Sequence, residues 1–278
     1  SIGGNFTNNG VFSTGNGDYT FTGISKSLNN AGSVLTFGDH LIIDGSYINN
    51  VTSLVIVDKL QGIGSLTNPS NKTITIGGHA TITTLIATAI PNTVVYNGSV
   101  NQNAIETDYY NLTINNTGAP PNNLVKFAVG TNCNVANLIN ITAGTLEFAG
   151  VNEQITGNDV TMASGTNFKI KTKSSIGTVP AFTGTYTLAT GSTFTFYRTG
   201  VQNISNAFTY QNITLEGSGT KDLTGDIIVA GNLTIAGATS LDVTGSNHKI
   251  TLGGDWISTS TAANPFIEQS GTVTLSGN

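Results

Sequence analysis

The sequence predicts an all-β chain that folds as an elongated, right-handed parallel β-helix, or β-solenoid. Three observations predict it: helix-favouring residues are scarce, apolar residues alternate over short stretches bounded by turn residues, and short phrases recur along the 278 residues. A single coil of such strands cannot bury its own apolar side, so many coils have to stack. With about 20–25 residues per coil, the chain would make about 11–14 coils and a rod about 50–70 Å long.

Composition limits the functions that this chain can have. Lys and Arg total 10 against 15 Asp and Glu, and charged residues make up 9% of the chain, compared with about 25% in ordinary soluble domains. Arg198 is the only arginine. A nucleic-acid surface needs clustered cations, and a membrane helix needs about 18 consecutive apolar residues. We therefore expect no nucleic-acid partner and no membrane insertion.

Alternation of apolar and polar residues indicates strands along the whole chain. Leu112 alternates with Ile114, and Leu233 with Ile235, and the runs end at turn dipeptides such as Asn-Gly at 97–98. Four or five alternating residues between turn signals are typical of a strand. The single cysteine, Cys133, cannot form an internal disulfide, so core packing and backbone pairing have to stabilise the fold.

Two phrases recur at unequal distances. "YYNLTI" begins at Tyr109 and "YQNITL" at Tyr210, whereas Gly-Gly phrases begin at positions 3, 77 and 253. This spacing predicts one continuous solenoid over 1–278, a fragment of a longer repeat array, with degenerate units at about 3–92, 93–194 and 195–278. The alternative is a tandem of β-sandwich domains, since about 100 residues is also one immunoglobulin-like unit. Unequal spacing and the missing core Trp and Cys pattern argue against that alternative.

The Asn-apolar-Thr-apolar tetrad predicts a structural role for asparagine. In a solenoid the apolar residues of "NLTI" point inward, the threonine points outward, and the asparagine lies at a corner. Stacked corner asparagines can hydrogen-bond to each other and to turn backbone. The candidates are Asn111, Asn140, Asn212 and Asn232. The alternative is that asparagine simply tolerates the dihedral angles of turns.

The phrases resemble a known class of proteins. "TVVYNGSVNQNAI" (93–105) with "YYNLTINNTG" (109–118), "DIIVAGNLTIAGATSLDVTGSNHKITLGGDW" (226–256) and "GTVTLSGN" (271–278) are similar to the β-strand-repeat regions of large cell-surface proteins of Bacteroidetes, exported by type IX secretion. Filamentous-haemagglutinin-like β-helix adhesins are a more distant likeness. The resemblance implies an extracellular, elongated stalk or adhesin segment on the bacterial surface, and it supplies no catalytic residues.

Enzymatic and metal chemistry have little support in the sequence. Carbohydrate-active β-helices use clustered carboxylates, and the close acidic pairs here are Glu106/Asp108, Asp222/Asp226 and Asp39/Asp44. We expect these to be solvating surface carboxylates; a cluster of Asp222, Asp226 and Arg198 would indicate an enzyme instead. His40, His79 and His248 lack the spacing of metal ligands. The chain is therefore predicted to be non-enzymatic, without catalytic residues, cofactor or metal.

Binding surfaces remain as a second class of function. Exposed aromatic rings can stack on sugars, and the candidates are Tyr109, Tyr110, Tyr197, Tyr210 and Trp256, for which core packing is the alternative role. The sequence thus predicts a non-enzymatic extracellular stalk or filament segment. Its expected partners are further copies of the repeat, in the same or neighbouring chains, and surface glycans or other cells. The alternatives are a carbohydrate-binding or carbohydrate-active β-helix and, with less support, an ice-binding protein, because the Thr-x-Thr pairs are irregularly spaced.

Overall fold

The architecture is a parallel β-solenoid. A computed structural model describes residues 1–10, 12, 15–127, 130–173 and 177–277. Over this part of the chain the regular elements are all strands, they pair in parallel, and they stack into about 12 turns, which confirms the fold class predicted above. The same residues contain no helix with the length and apolar character needed to span a membrane.

Two compact units divide the chain. Ser1–Ala128 and Cys133–Gly144 form the first unit, and Val129–Asn132 with Thr145–Asn278 form the second. The predicted repeat units at 3–92, 93–194 and 195–278 rest on sequence similarity, and together with the single continuous solenoid they stay a prediction.

The first unit is built from turns of two or three strands. Its described strands are β1 (Phe6–Asn8), β2 (Tyr19–Phe21), β3 (Lys26–Asn30), β4 (Val34–Phe37), β5 (Leu41–Ile43), β6 (Ser46–Asn49), β7 (Ser53–Ile56), β8 (Leu60–Thr67), β9 (Lys72–Ile76), β10 (Ala80–Ile86), β11 (Asn92–Tyr96), β12 (Gln102–Ala104), β13 (Tyr109–Asn115), β14 (Leu124–Phe127) and β15 (Cys133–Ala143). Strands β2, β3 and β4 make one turn and β5, β6 and β7 the next. Strand β8 pairs with both β5 and β6, so one long strand replaces two short ones.

The second unit repeats a three-strand turn. Its described strands are β16 (Thr145–Phe148), β17 (Ile155–Met162), β18 (Asn167–Ile170), β19 (Thr178–Val179), β20 (Ala181–Phe182), β21 (Tyr186–Leu188), β22 (Thr193–Phe196), β23 (Gln202–Ile204), β24 (Asn212–Leu215), β25 (Ser218–Leu223), β26 (Ile227–Val229), β27 (Leu233–Ile235), β28 (Ala238–Asp242), β29 (Lys249–Leu252), β30 (Trp256–Ser258), β31 (Phe266–Ile267) and β32 (Thr272–Leu275). The last three turns are β24–β26, β27–β29 and β30–β32. Each strand pairs with its equivalent in the next turn.

Inward-facing residues form the core as continuous columns. Leu35, Leu54, Ile74 and Val94 are partners in successive turns and are at most 1% exposed. Burying such a side chain stabilises the fold by about 1.5–3 kcal/mol. Alternate residues of the same strands face outward, which is why the period of two was readable in the sequence. The core is therefore shared between turns, and no turn is apolar enough to be stable alone.

Corners absorb the differences in turn length. The column partners Leu35 and Leu54 lie 19 residues apart, but Leu112 and Ile139 lie 27 apart, and the inward register holds in both cases. Some corners require glycine: Gly217, between β24 and β25, has a φ of +88°. A Cβ atom there would lie 2.6 Å from the backbone oxygens of Tyr197 and Arg198 in the turn before. The close approach of two turns thus depends on the missing side chain.

Candidate functional site

Amide side chains bridge neighbouring turns in the first unit. Asn111 Nδ2 donates to the backbone oxygen of Asn92 at 2.8 Å, and Asn137 Nδ2 donates to Asn111 Oδ1 at 2.7 Å. Asn140 lies inside β15, opposite Thr113, so Asn137 is the residue that continues the contact. The long turn before β15 moves the equivalent position, and counting residues between the tetrads could not locate it.

The second unit carries a similar series. Asn212 Nδ2 donates to the backbone oxygen of Ser192 at 3.2 Å. Asn212 Oδ1 accepts from the Asn232 N–H at 2.8 Å, and Asn232 Oδ1 accepts from the Asp255 N–H at 2.8 Å. Each amide thus satisfies a corner N–H that a turn would otherwise leave without a strand partner.

A buried asparagine series was not predicted from the sequence. Asn49, Asn68 and Asn92 are at most 2% exposed. Asn49 Nδ2 donates to Asn68 Oδ1 at 3.1 Å, and Asn92 Nδ2 donates to the Asn68 backbone oxygen at 2.7 Å. Asn68 Nδ2 in turn lies 3.2 Å from the backbone oxygens of Lys72 and Thr93. Their separation by about one turn was the only sequence signal.

The recurring phrase also places a buried glutamine below a corner. Gln102 Nε2 donates to the backbone oxygens of Ile76 and Gly78, both at 2.9 Å, and Gln102 Oε1 accepts from the Gly98 N–H at 2.8 Å. Gln202, the matching residue of the second copy, donates to the Ile170 oxygen at 3.1 Å. Both side chains are at most 1% exposed. The repeat in sequence is therefore a repeat in buried polar contacts.

Lys221 on β25 is the strand-pairing partner of Gln202 on β23, one turn further along the chain, and it is buried. Its side chain is 0% exposed, and Nζ donates to the backbone oxygens of Arg198 at 2.7 Å and Ser218 at 3.2 Å. The Lys221 pKa is lowered to about 8, mainly by burial and in addition by the Arg198 charge, whereas the Asp222 charge raises it. The ammonium group thus donates to carbonyl oxygens of this corner that would otherwise be buried without a partner.

The aromatic candidates for sugar contact differ in accessibility. Tyr109 and Tyr210 are 0% exposed, and their hydroxyl groups donate to the backbone oxygens of Ile105 at 2.6 Å and Ser205 at 2.7 Å. Burial raises the pKa of both phenols well above the usual value. These two rings are core residues, without an exposed face for a sugar. The prediction of a sugar contact is therefore wrong for both, and the alternative role, core packing, applies.

The other three aromatic candidates are partly exposed. Tyr110 lies next to buried Tyr109 and faces outward on β13. Tyr197 has the ammonium groups of Lys169 and Lys171 within 5.0 and 5.8 Å of its ring centre. Trp256 packs against Phe266 at the last turn of the second unit. The three rings lie on different strands or corners, and their role in sugar binding stays a prediction.

Carboxylates at the corners accept backbone N–H groups from the next turn. Asp108 Oδ1 accepts from Asn134 N–H at 2.8 Å, and Asp226 Oδ1 accepts from Lys249 N–H at 2.8 Å. Asp222 instead faces Asp242 across β25 and β28, and its pKa is raised by burial and by the Asp242 charge. Arg198, which would have to join Asp222 and Asp226 in an enzyme site, instead donates to the Val151 backbone oxygen at 3.4 Å. The acids and the arginine thus have separate partners.

One corner of the first unit collects charged side chains from three turns. His40 Nδ1 lies 2.8 Å from Asp18 Oδ1, and His40 Nε2 lies 2.9 Å from Asp58 Oδ2 and 3.4 Å from Asp39 Oδ1. Partial burial lowers the His40 pKa, but the hydrogen bonds with Asp18 and Asp58 and the Asp39 charge outweigh it, and the pKa is raised. The sequence spacing gives no sign of this cluster, because Asp18 and Asp58 each lie one turn away from His40.

The last turn of the second unit leaves apolar core residues open. Trp256, Phe266, Val273 and Leu275 line a pocket of about 290 Å³, and Leu275 is 69% exposed. Each is in register with a residue of the previous turn that is 0% exposed: Leu233, Leu241, Ile250 and Leu252. The four residues therefore occupy core positions that the next turn of a solenoid would cover.

Comparison with protein-family models, curated proteins and solved structures gave no match.

Proposed function

We propose that the chain is a non-enzymatic structural or adhesive segment of a bacterial cell-surface protein, and that further coils of the same repeat stack on its open last turn. A β-solenoid is compatible with such a role. The observation that carries the proposal is the exposed set of core positions at β30, β31 and β32, each continuing a buried column. An edge strand with an apolar inner face is a template for another strand.

The extracellular setting is supported by composition and by the repeat phrases. The surface carries few charges, and the phrases at 93–118 and 226–256 resemble those of exported surface repeats. Amide and carboxylate side chains at the corners satisfy backbone groups of neighbouring turns, which supports a role in mechanical continuity. We expect other repeats, surface glycans or other cells to be the partners.

Self-association through the open turn tests the proposal. Sedimentation velocity over a concentration series, with electron microscopy of the highest concentration, should show end-to-end association of the 278-residue chain. Leu275→Asp should abolish it, because a carboxylate would be buried in the new contact. Ile228→Asp is the matched control: Ile228 is 51% exposed and faces outward on β26 of the same unit.

A chain that stays monomeric at every concentration, or association that Leu275→Asp leaves intact, would contradict the stacking proposal. Binding on a glycan array that survives Leu275→Asp but is lost in Tyr110→Ala or Tyr197→Ala would favour the carbohydrate-binding alternative instead.

A further inference from the structure

The charged corner of the first unit has the composition of a metal site. Tyr19, Leu41 and Leu60 are partners in the ladder β2–β5–β8, so the corners that precede them lie one above another. Asp18 precedes the first of these strands, Asp39 and His40 precede the second, and Asp58 lies two residues before the third. The solenoid register thus brings together one imidazole and three carboxylates that are up to 40 residues apart.

The distances suit a small divalent cation. One ligand atom from each of Asp39, His40 and Asp58 can be chosen so that all lie within 4.8 Å of one another. In a tetrahedral zinc site with bonds of about 2.0–2.1 Å, neighbouring ligand atoms are about 3.3 Å apart. The separations of His40 Nε2 from the two carboxylate oxygens, 2.9 and 3.4 Å, bracket that value. Small side-chain rotations would therefore complete the geometry.

The supporting contacts orient the two principal ligands. Asp18 Oδ1 accepts from His40 Nδ1 at 2.8 Å, which leaves Nε2 as the nitrogen that can bind a metal. A carboxylate in this position fixes the ring orientation and increases the basicity of a ligating histidine. The Asp58 carboxylate packs against Gly78, where a Cβ atom would clash with Asp58 Oδ1, and the Gly78 N–H donates to the Asp58 backbone oxygen at 2.7 Å.

Charge balance and access favour a bound ion as well. Three carboxylates around one protonated imidazole leave an excess of two negative charges, whereas a divalent ion with neutral imidazole leaves one. The side chains of His40 and Asp58 are 25% and 44% exposed. Solvent can therefore reach the fourth coordination position, as it does in open zinc sites.

We propose that Asp39, His40 and Asp58 bind a divalent first-row transition-metal ion, with Zn²⁺ the ion that best fits the ligand set, and that Asp18 is the positioning residue for His40. The ligands come from two turns and the positioning carboxylate from a third. The bound ion therefore links two consecutive turns of the first unit directly, and the Asp18–His40 hydrogen bond connects the third turn to the site.

Titration calorimetry of the tag-free chain with ZnCl₂, after treatment with chelator, tests the site. We expect one ion per chain, and loss of saturable binding in His40→Ala. Asp18→Asn should weaken binding by about 10–100-fold, the usual effect of removing such a partner. His248→Ala is the matched control, because among the described residues one carboxylate, Asp226 at 3.8 Å, lies within 4 Å of a His248 ring nitrogen.

Thermal unfolding gives a second readout. ZnCl₂ should raise the melting temperature of the wild-type chain and of His248→Ala, but not of His40→Ala. Asp58→Asn keeps the histidine and should also lose the shift, which distinguishes loss of the site from misfolding of one variant. Absence of saturable binding to the wild-type chain, or equal binding in His40→Ala and wild type, would overturn the proposal.

Discussion

Replacing Lys221 by methionine should remove a pH dependence of stability that the wild-type chain has. The ammonium group is fully buried against carbonyl oxygens, and burial is the main cause that lowers its pKa from 10.5 to about 8. Between these two values the unfolded chain binds more protons than the folded chain. The free energy of unfolding therefore rises with pH across this window, and the extra stability is lost as the pH falls through about 8.

The magnitude follows from the two pKa values. At about 1.4 kcal/mol per pKa unit, the difference between 10.5 and about 8 is worth about 3 kcal/mol over the whole window. About 2 kcal/mol of it should appear between pH values of about 7.5 and 9.5. Methionine fills a similar volume without a titrating group, so the Lys221→Met profile should lack this rise.

Urea unfolding of both proteins at several pH values in a reducing buffer measures the effect. Burial raises the pKa of the Cys133 thiol, so that thiol lowers stability as the pH rises, but it contributes equally to both proteins. The difference between the two profiles thus isolates Lys221. Parallel profiles, or a difference of opposite sign, would refute the reasoning.

Three further outcomes are expected. Asn68→Ala should lower the free energy of unfolding by about 1–3 kcal/mol, since it leaves Asn49 and other buried groups without partners; urea unfolding would measure this, with the exposed residue Asn103→Ala as a control that should change it little. Gly217→Ala should destabilise the chain more than Gly165→Ala, because both have positive φ but only at Gly217 would the new Cβ meet backbone oxygens; equal melting temperatures would contradict this. Cys133 should react with a thiol reagent only under denaturing conditions, because it is buried and its pKa is raised.

The strands and their parallel stacking could be predicted because their signals are local. Leu112 and Ile114 alternate with polar neighbours, and the Leu and Ile of each tetrad do face inward. The corner role of Asn212 and Asn232 is also visible in the tetrad, because a short turn separates them and their backbone and side chains meet directly.

Contacts between turns could not be predicted because turn length varies. A partner 19 residues away in one turn lies 27 residues away in another, so the tetrad match at Asn140 does not identify Asn137 as the residue that contacts Asn111. The same uncertainty hid the approach of Asp58 to His40. Sugar contact and core packing are both open for Tyr109 in the sequence, because the pair Tyr109-Tyr110 does not show which ring faces inward.

The differences in corner length affect how the sequence of such a chain can evolve. The column of Leu35, Leu54 and Ile74 requires only that each strand pairs in the same register with the strand of the previous turn. The turn from Leu112 to Ile139 contains several additional residues and still keeps this register. Insertions and deletions at corners thus leave the neighbouring turns in place. The length and side chains of the corners can therefore vary at little cost in stability, while the interior has to keep the same packing.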